Sequence, residues 1–154
     1  MTETGTEPGA MPEAPEQASV NESPEAALAR ENETLACFAW QALLQDAKTS
    51  AALFRELARR EPRNPDYWAA LGLALAKNSQ RREAILALER AVELRPKNIE
   101  AWCVLGELAM DEMEWKKAAA ALRRCLELDP NAKNAHGLRA RALIKKGEKL
   151  LTQG

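Results

Sequence analysis

The residues with side chains suited to catalysis or metal binding are few: His136, Cys37, Cys103, Cys125, and the carboxylates Asp111, Glu112 and Glu114. His136 is the only histidine, so any imidazole-based dyad or metal pair would need it. The cysteines are odd in number, far apart, and form neither a Cys-x-x-Cys nor a Cys/His pattern. That spacing suggests neither a disulfide framework nor a zinc site and reads as reduced thiols in a cytoplasmic protein. Two of the carboxylates could exchange protons if one were buried with a raised pKa, but a helix-to-helix turn leaves them in water. There is no Gly-rich phosphate loop and no Ser or Cys nucleophile beside a base. The expectation is a non-enzymatic protein with no cofactor and no metal.

The elements around these residues are helical. Hydrophobic residues make up 46% of the 154-residue chain and aromatics only 5%, with Ala and Leu dominant, which favours helix over sheet. Residues 1–23 carry five Glu and no Lys or Arg, with Pro, Gly, Thr and Ser and almost nothing large and apolar, so they read as a disordered acidic tail. The alternative reading of that tail is a segment that folds back over a groove. The rest has 22 basic and 18 acidic side chains, too balanced and scattered for a nucleic-acid footprint. No run approaches the ~18 apolar residues that span a bilayer, and no apolar stretch follows a basic N-terminus.

Ser23-Pro24-Glu25 reads as a helix start, with Ser as N-cap and Pro at the first helical position. Patterning predicts a long helix from about Pro24 to Asp46, then helices near 49–60, 65–78, 82–95, 99–112, 115–128 and 133–150. Asn64-Pro65, Arg95-Pro96-Lys97-Asn98 and Asp129-Pro130-Asn131 mark the stops.

A fixed period runs through this layout. Trp68, Leu71, Gly72, Ala84, Leu88, Ala91 and Pro96 have counterparts 34 residues later at Trp102, Leu105, Gly106, Ala118, Leu122, Cys125 and Pro130. Trp68, Leu71 and Leu75 share one helix face, and Ala84, Leu88 and Ala91 share a face of the next. Gly72 and Ala84 allow close approach of the two backbones. Trp68, Trp102 and Trp115 are expected in the core. Trp40, on the long first helix, is a candidate for a groove or dimer contact. His136, standing where the tryptophan would recur, is expected to be half-buried.

This pattern resembles the tetratricopeptide repeat, a 34-residue helix–turn–helix unit. The resemblance implies an all-α, right-handed helical solenoid of about three repeats with a closing C-terminal helix. Its parts are a degenerate first repeat at 24–64 with a long first helix, repeats at 65–98 and 99–132, and a closing helix at 133–154 with Leu138, Ala142 and Leu143 toward the core.

It further implies a concave groove lined by the first helix of each repeat. Carried onto this sequence, Leu35, Ala69, Cys103 and Gly137 form one row, and Ala39, Leu73, Glu107 and Arg141 a second. Ala42, Ala76, Met110 and Ile144 form a third, and Leu43, Lys77, Asp111 and Lys145 a fourth. The charged positions either meet a ligand or pair among themselves, Glu107 with Arg141 and Asp111 with Lys77 or Lys145. Family members that clamp the acidic tails of heat-shock chaperones place Lys and Asn where this chain has Leu35, Ala39 and Ala69, which disfavours that partner class.

The layout is also similar to the class II chaperones of bacterial type III secretion, which hold hydrophobic translocators in such a groove. The implied function is a cytoplasmic scaffold or adaptor that binds an extended or helical segment of another protein. The alternatives are a translocator chaperone and a homo-oligomer built through the 24–46 helix. Neither nucleic acid nor membrane insertion is expected. The basic residues of the closing helix, Lys133, Arg139, Arg141, Lys145, Lys146 and Lys149, complement its dipole or meet an anionic surface.

Overall fold

The computed structural model describes residues 21–153, and all but the last three residues of the acidic tail lie outside that range. The described residues form seven α-helices and no strand: α1 (Pro24–Gln45), α2 (Ala47–Arg60), α3 (Pro65–Lys77), α4 (Arg81–Leu94), α5 (Ile99–Asp111), α6 (Trp115–Leu128) and α7 (Ala135–Thr152). The chain falls into two units, one ending at Thr34 and one beginning at Leu35. In the first, Ser23 opens α1 as its spacing predicts, its Oγ accepting from the Ala26 N–H at 3.1 Å. Arg30 pairs with Glu22 at 2.6 Å.

In the second unit, successive helices pack in pairs: α2 on α3, α3 on α4, α4 on α5, α5 on α6 and α6 on α7. The hairpins α3–α4 and α5–α6 are built alike because the same residue types recur at the same places. A Cβ added to Gly72 would lie 2.5 Å from Leu88 Cγ, and one added to Gly106 would lie 2.6 Å from Leu122 Cγ. Both leucines are fully or almost fully buried, so neither can step aside. The glycines therefore set how closely the two helices of each hairpin approach.

The turns also match. Ser79 and Met113 both take left-handed backbone angles, φ 63° and 59°. Each turn is closed by an N–H reaching back to the end of the first helix, Gln80 to Leu75 O at 2.9 Å and Glu114 to Ala109 O at 2.8 Å. Glycine is the usual residue for this backbone. Its absence left this feature invisible in the sequence.

Successive hairpins of the second unit are joined by recurring polar contacts. Trp68 Nε1 donates to Pro62 O, and Trp102 Nε1 donates to Pro96 O, both at 2.8 Å. The ring thus packs while its one donor ties the start of a hairpin to the preceding loop. The helices α3, α5 and α7 each begin with an Asn cap, at Asn64, Asn98 and Asn134. Between second helices, Arg55 pairs with Glu83 at 3.0 Å and Lys117 with Glu89 at 2.7 Å. These are one bridge displaced by 34 residues with its charges exchanged.

The α6–α7 junction is fastened by Asp129, whose two carboxylate oxygens accept from the backbone N–H groups of Lys133 and Asn134, both at 3.0 Å. Gly137 lies directly against that carboxylate, where any Cβ would collide with it. The two backbone N–H bonds, from Asn134 first, hold the Asp129 carboxyl below its ordinary pKa.

Two core expectations fail. In α7, Leu138 is 56% exposed and Ala142 is also exposed, while Ala140 is fully buried and Leu143 and Ile144 are partly buried. The inward face runs through Gly137, Ala140 and Ile144, three to four residues apart, so 138 and 142 fall outside it. Their counterparts Val104 and Leu108 are covered because α5 is flanked on both sides, and no helix follows α7 among the described residues. Trp115 is also exposed, at 44%, rather than core. It opens α6, and its counterpart 34 residues earlier is the exposed Arg81.

Three outcomes follow for stability. Gly72→Ala should cost about 1–3 kcal/mol through overpacking against Leu88. Gly147→Ala, whose new methyl would meet only Met110 Cε at 3.9 Å, should gain about 0.5–1 kcal/mol from helix propensity. Thermal or urea unfolding of the pair reads both signs, and two changes of the same sign would contradict the packing account. Because the Asp129 pKa is lowered on folding, its contribution is present above the ordinary carboxylate value and is lost as pH falls through the folded value. The gap in urea midpoint between wild type and Asp129→Asn should therefore narrow from about pH 6 to about pH 3, whereas parallel curves would refute that linkage.

Candidate binding groove

The expected groove helices α3, α5 and α7 do lie side by side, α3 touching α5 and α5 touching α7. Three of the candidate lining residues are below the surface, among them Gly137, which lies against the Asp129 carboxylate. Ala39 is fully buried in a core that includes Phe54 and Leu57, and its carbonyl accepts from buried Ser50 Oγ at 2.8 Å. Cys103 is 1% exposed, in a second cluster with Leu122, Cys125 and Ala140.

Leu35, Ala42, Leu43, Ala69, Leu73 and Ala76 are half-buried, as are Glu107 and Met110, so each presents part of its surface to solvent. Leu35, Leu43 and Ala76 pack at the edge of the same core. Lys77, Asp111, Arg141 and Lys145 are exposed. The apolar rows at 35–43 and 69–76 thus pass into charged ones at 107–111 and 141–145.

The charges pair differently from the sequence expectation. Glu107 bonds Arg139 of α7, not Arg141. Arg141 instead reaches Pro130 O at a long 3.4 Å, taking the carbonyl that a tryptophan occupies at the two earlier junctions. Asp111 lies 3.9 Å from Arg81, at the start of α4, rather than meeting Lys77 or Lys145. Glu112 pairs with Arg82 at 3.2 Å, and Glu114 with Lys117 at 3.0 Å. The carboxylates at this turn are therefore neutralised by cations, and the helix-start arginines are the partners that reading along groove rows missed. Their spacing of 30 residues, one turn short of the repeat, was the available signal.

At the C-terminal end, Met110 and Ile144 of one groove row pack in a common apolar cluster. With Trp115, Leu122, Leu143 and Gly147 they surround a largely apolar cavity of about 160 Å³. His136 is half-buried, as expected, and its carbonyl accepts from the Cys103 and Cys125 thiols at 3.5 and 3.6 Å. Burial pushes both thiols up in pKa, Cys125 to about 12, which keeps them protonated and poorly nucleophilic. Trp40 is 46% exposed and meets Phe54 edge to face, centroids 5.0 Å apart. No cluster of three or more metal-ligating side chains occurs among the described residues, and no described helix is long and apolar enough to cross a membrane.

Known proteins bear out this architecture. Comparison with curated proteins gave no match. Among solved structures, the chain is similar to the Sgt2 TPR domain from Aspergillus fumigatus, 22% identical, over 80% of this chain and 83% of that one, with a TM-score of 0.72. It is similar to the type III secretion translocator chaperone SycD of Yersinia enterocolitica, 18% identical, over 90% of this chain and 94% of that one, also at 0.72. The Arabidopsis OM64 TPR domain matches at 20% identity over 75% and 95% of the two chains, with a TM-score of 0.67. At these identities the likeness is one of fold. A family model described as tetratricopeptide repeat matches residues 41–99, 70–133 and 103–149. With the 34-residue period, the paired hairpins and the small-to-large contacts between their helices, the chain belongs to the tetratricopeptide repeat family.

Proposed function

We propose that this chain is a non-enzymatic scaffold or adaptor that holds an extended or helical segment of a partner protein in the groove formed by α3, α5, α7 and the 35–45 part of α1. The observation that carries the reading is the gradient along that surface. Half-buried Leu35, Leu43, Leu73 and Ala76 offer apolar contact at one end, while exposed Arg141 and Lys145 offer charge at the other. Because Glu107 and Asp111 already face arginines, the charged end favours a carboxylate or a backbone carbonyl over a cation. A segment with two or three hydrophobic side chains followed by an acidic residue fits both ends.

Two narrower readings have support of their own. The match to SycD over nearly the whole of both chains supports a cytoplasmic chaperone that shields a hydrophobic secreted protein. Exposed Phe38, Trp40 and Leu44 on α1, at 58%, 46% and 82%, support a homodimer through that helix. The experiment is a pull-down from the native cytoplasm with wild type and with a Leu73→Glu, Ala76→Arg variant of unchanged helicity. A partner bound by wild type should lose at least about tenfold in affinity with the variant. Equal binding by both would move the site off the groove. A captured hydrophobic secreted protein would select the chaperone reading, and sedimentation as a monomer at high concentration would remove the homodimer.

A further inference from the structure

The two buried cysteines occupy places that the repeat relates to two alanines. Ala69 and Ala91 in the α3–α4 hairpin become Cys103 and Cys125 in α5–α6. The period separates Cys103 from Cys125 by 22 residues, so they look unrelated in sequence, but the hairpin folds them against each other. Both sulfurs donate to His136 O, at 3.5 and 3.6 Å, so the two thiols share one acceptor. One turn away on each helix, Gly106 meets Leu122 with a Cβ position only 3.4 Å from the Leu122 backbone nitrogen, so the two backbones are close at this level. Close backbones with facing side chains are what a disulfide needs, with its Cα atoms about 4.4–6.8 Å apart.

We propose that Cys103 and Cys125 form a dithiol site that a low-molecular-weight disulfide converts to an intramolecular bond between α5 and α6. In the first step one cysteine, as thiolate, attacks the small disulfide, forming a mixed disulfide and releasing one small thiol. The second cysteine then attacks its neighbour's sulfur, forming the Cys103–Cys125 bond and releasing the second small thiol. The cysteine sulfurs lose two electrons, the small disulfide gains them, and the two cysteine protons end on the released thiols. The bond fixes the two helices of one repeat to each other. It also removes both S–H donors from the His136 carbonyl in the first turn of α7, the helix that carries Arg141 and Lys145. Burial on α5 and α6 makes the reaction slower than that of exposed Cys37.

The test uses the full chain carrying Cys37→Ser, equilibrated natively with glutathione disulfide and, in parallel, refolded from urea in a glutathione redox buffer. Peptide mapping should find a 103–125 crosslink with the loss of two hydrogens. Circular dichroism should be native, with a thermal midpoint raised by on the order of 10 °C, as closing a loop of this length implies. Cys103→Ala and Cys125→Ala, each introducing the residue the preceding repeat already uses, should fold and show no such shift. The proposal is overturned by refolded protein that stays reduced or carries only mixed disulfides. It is equally overturned by a crosslink that lowers the midpoint or the helicity.

Discussion

The near-contact of Gly72 with Leu88, and of Gly106 with Leu122, is the constraint on which the rest of the second unit depends. A helix pair approaches to this distance only where one side chain is missing and a large one fills the space from across. Once the hairpin spacing is fixed, Ala84, Ala91, Ala118 and Cys125 are drawn into the interior, all at 2% exposure or less. The next hairpin then has a defined surface on which to stack. Groove geometry follows from that stacking, because α3, α5 and α7 inherit their separation from hairpins they belong to or lean on.

Stacking is directed by polar contacts rather than by area alone. The tryptophan-to-carbonyl bonds at Pro62 and Pro96 set how each hairpin enters. The Arg55–Glu83 and Glu89–Lys117 bridges, one reversed relative to the other, set which second helix lies beside which. Exposed pairs add little stability, about 0–1 kcal/mol each. Exchanging their signs from one level to the next still penalises a hairpin stacked one level out of place, which would bring like charges together. At the last junction the tryptophan is replaced by His136, and Asp129 takes over as the fastening group. That change places a carboxylate whose pKa is lowered on folding at the attachment of α7, which acid therefore weakens.

Much of this was legible from Trp68 to Pro130, because packing at one period leaves large and small residues at fixed places. Helix starts were readable at Ser23-Pro24, Asn64-Pro65 and Asn98, whereas the Asn134 cap of α7 passed unread and its start was placed at 133. The sequence misled where the period stops being informative. Leu138 and Ala142 look like core by type, but they lie on a face of α7 that nothing among the described residues covers. Trp115 looks like a packing aromatic, yet the period places it at an exposed helix start. The partners of Glu107 and Asp111 depend on side-chain reach across helices, which row-by-row reading does not contain. The meeting of Cys103 with Cys125 was hidden for a related reason, since a hairpin joins residues at mirrored distances from its turn.

On the proposed reading, the partner lies along the first helices and not on the opposite, convex face. A photo-reactive amino acid placed at Leu73, on the groove side, and separately at Leu86, an exposed residue of α4 on the other, tests it most directly. Irradiation in the native cytoplasm should crosslink one defined partner from position 73 and leave position 86 without it. The same partner crosslinked from 86 alone, or from both with equal yield, would contradict the assignment.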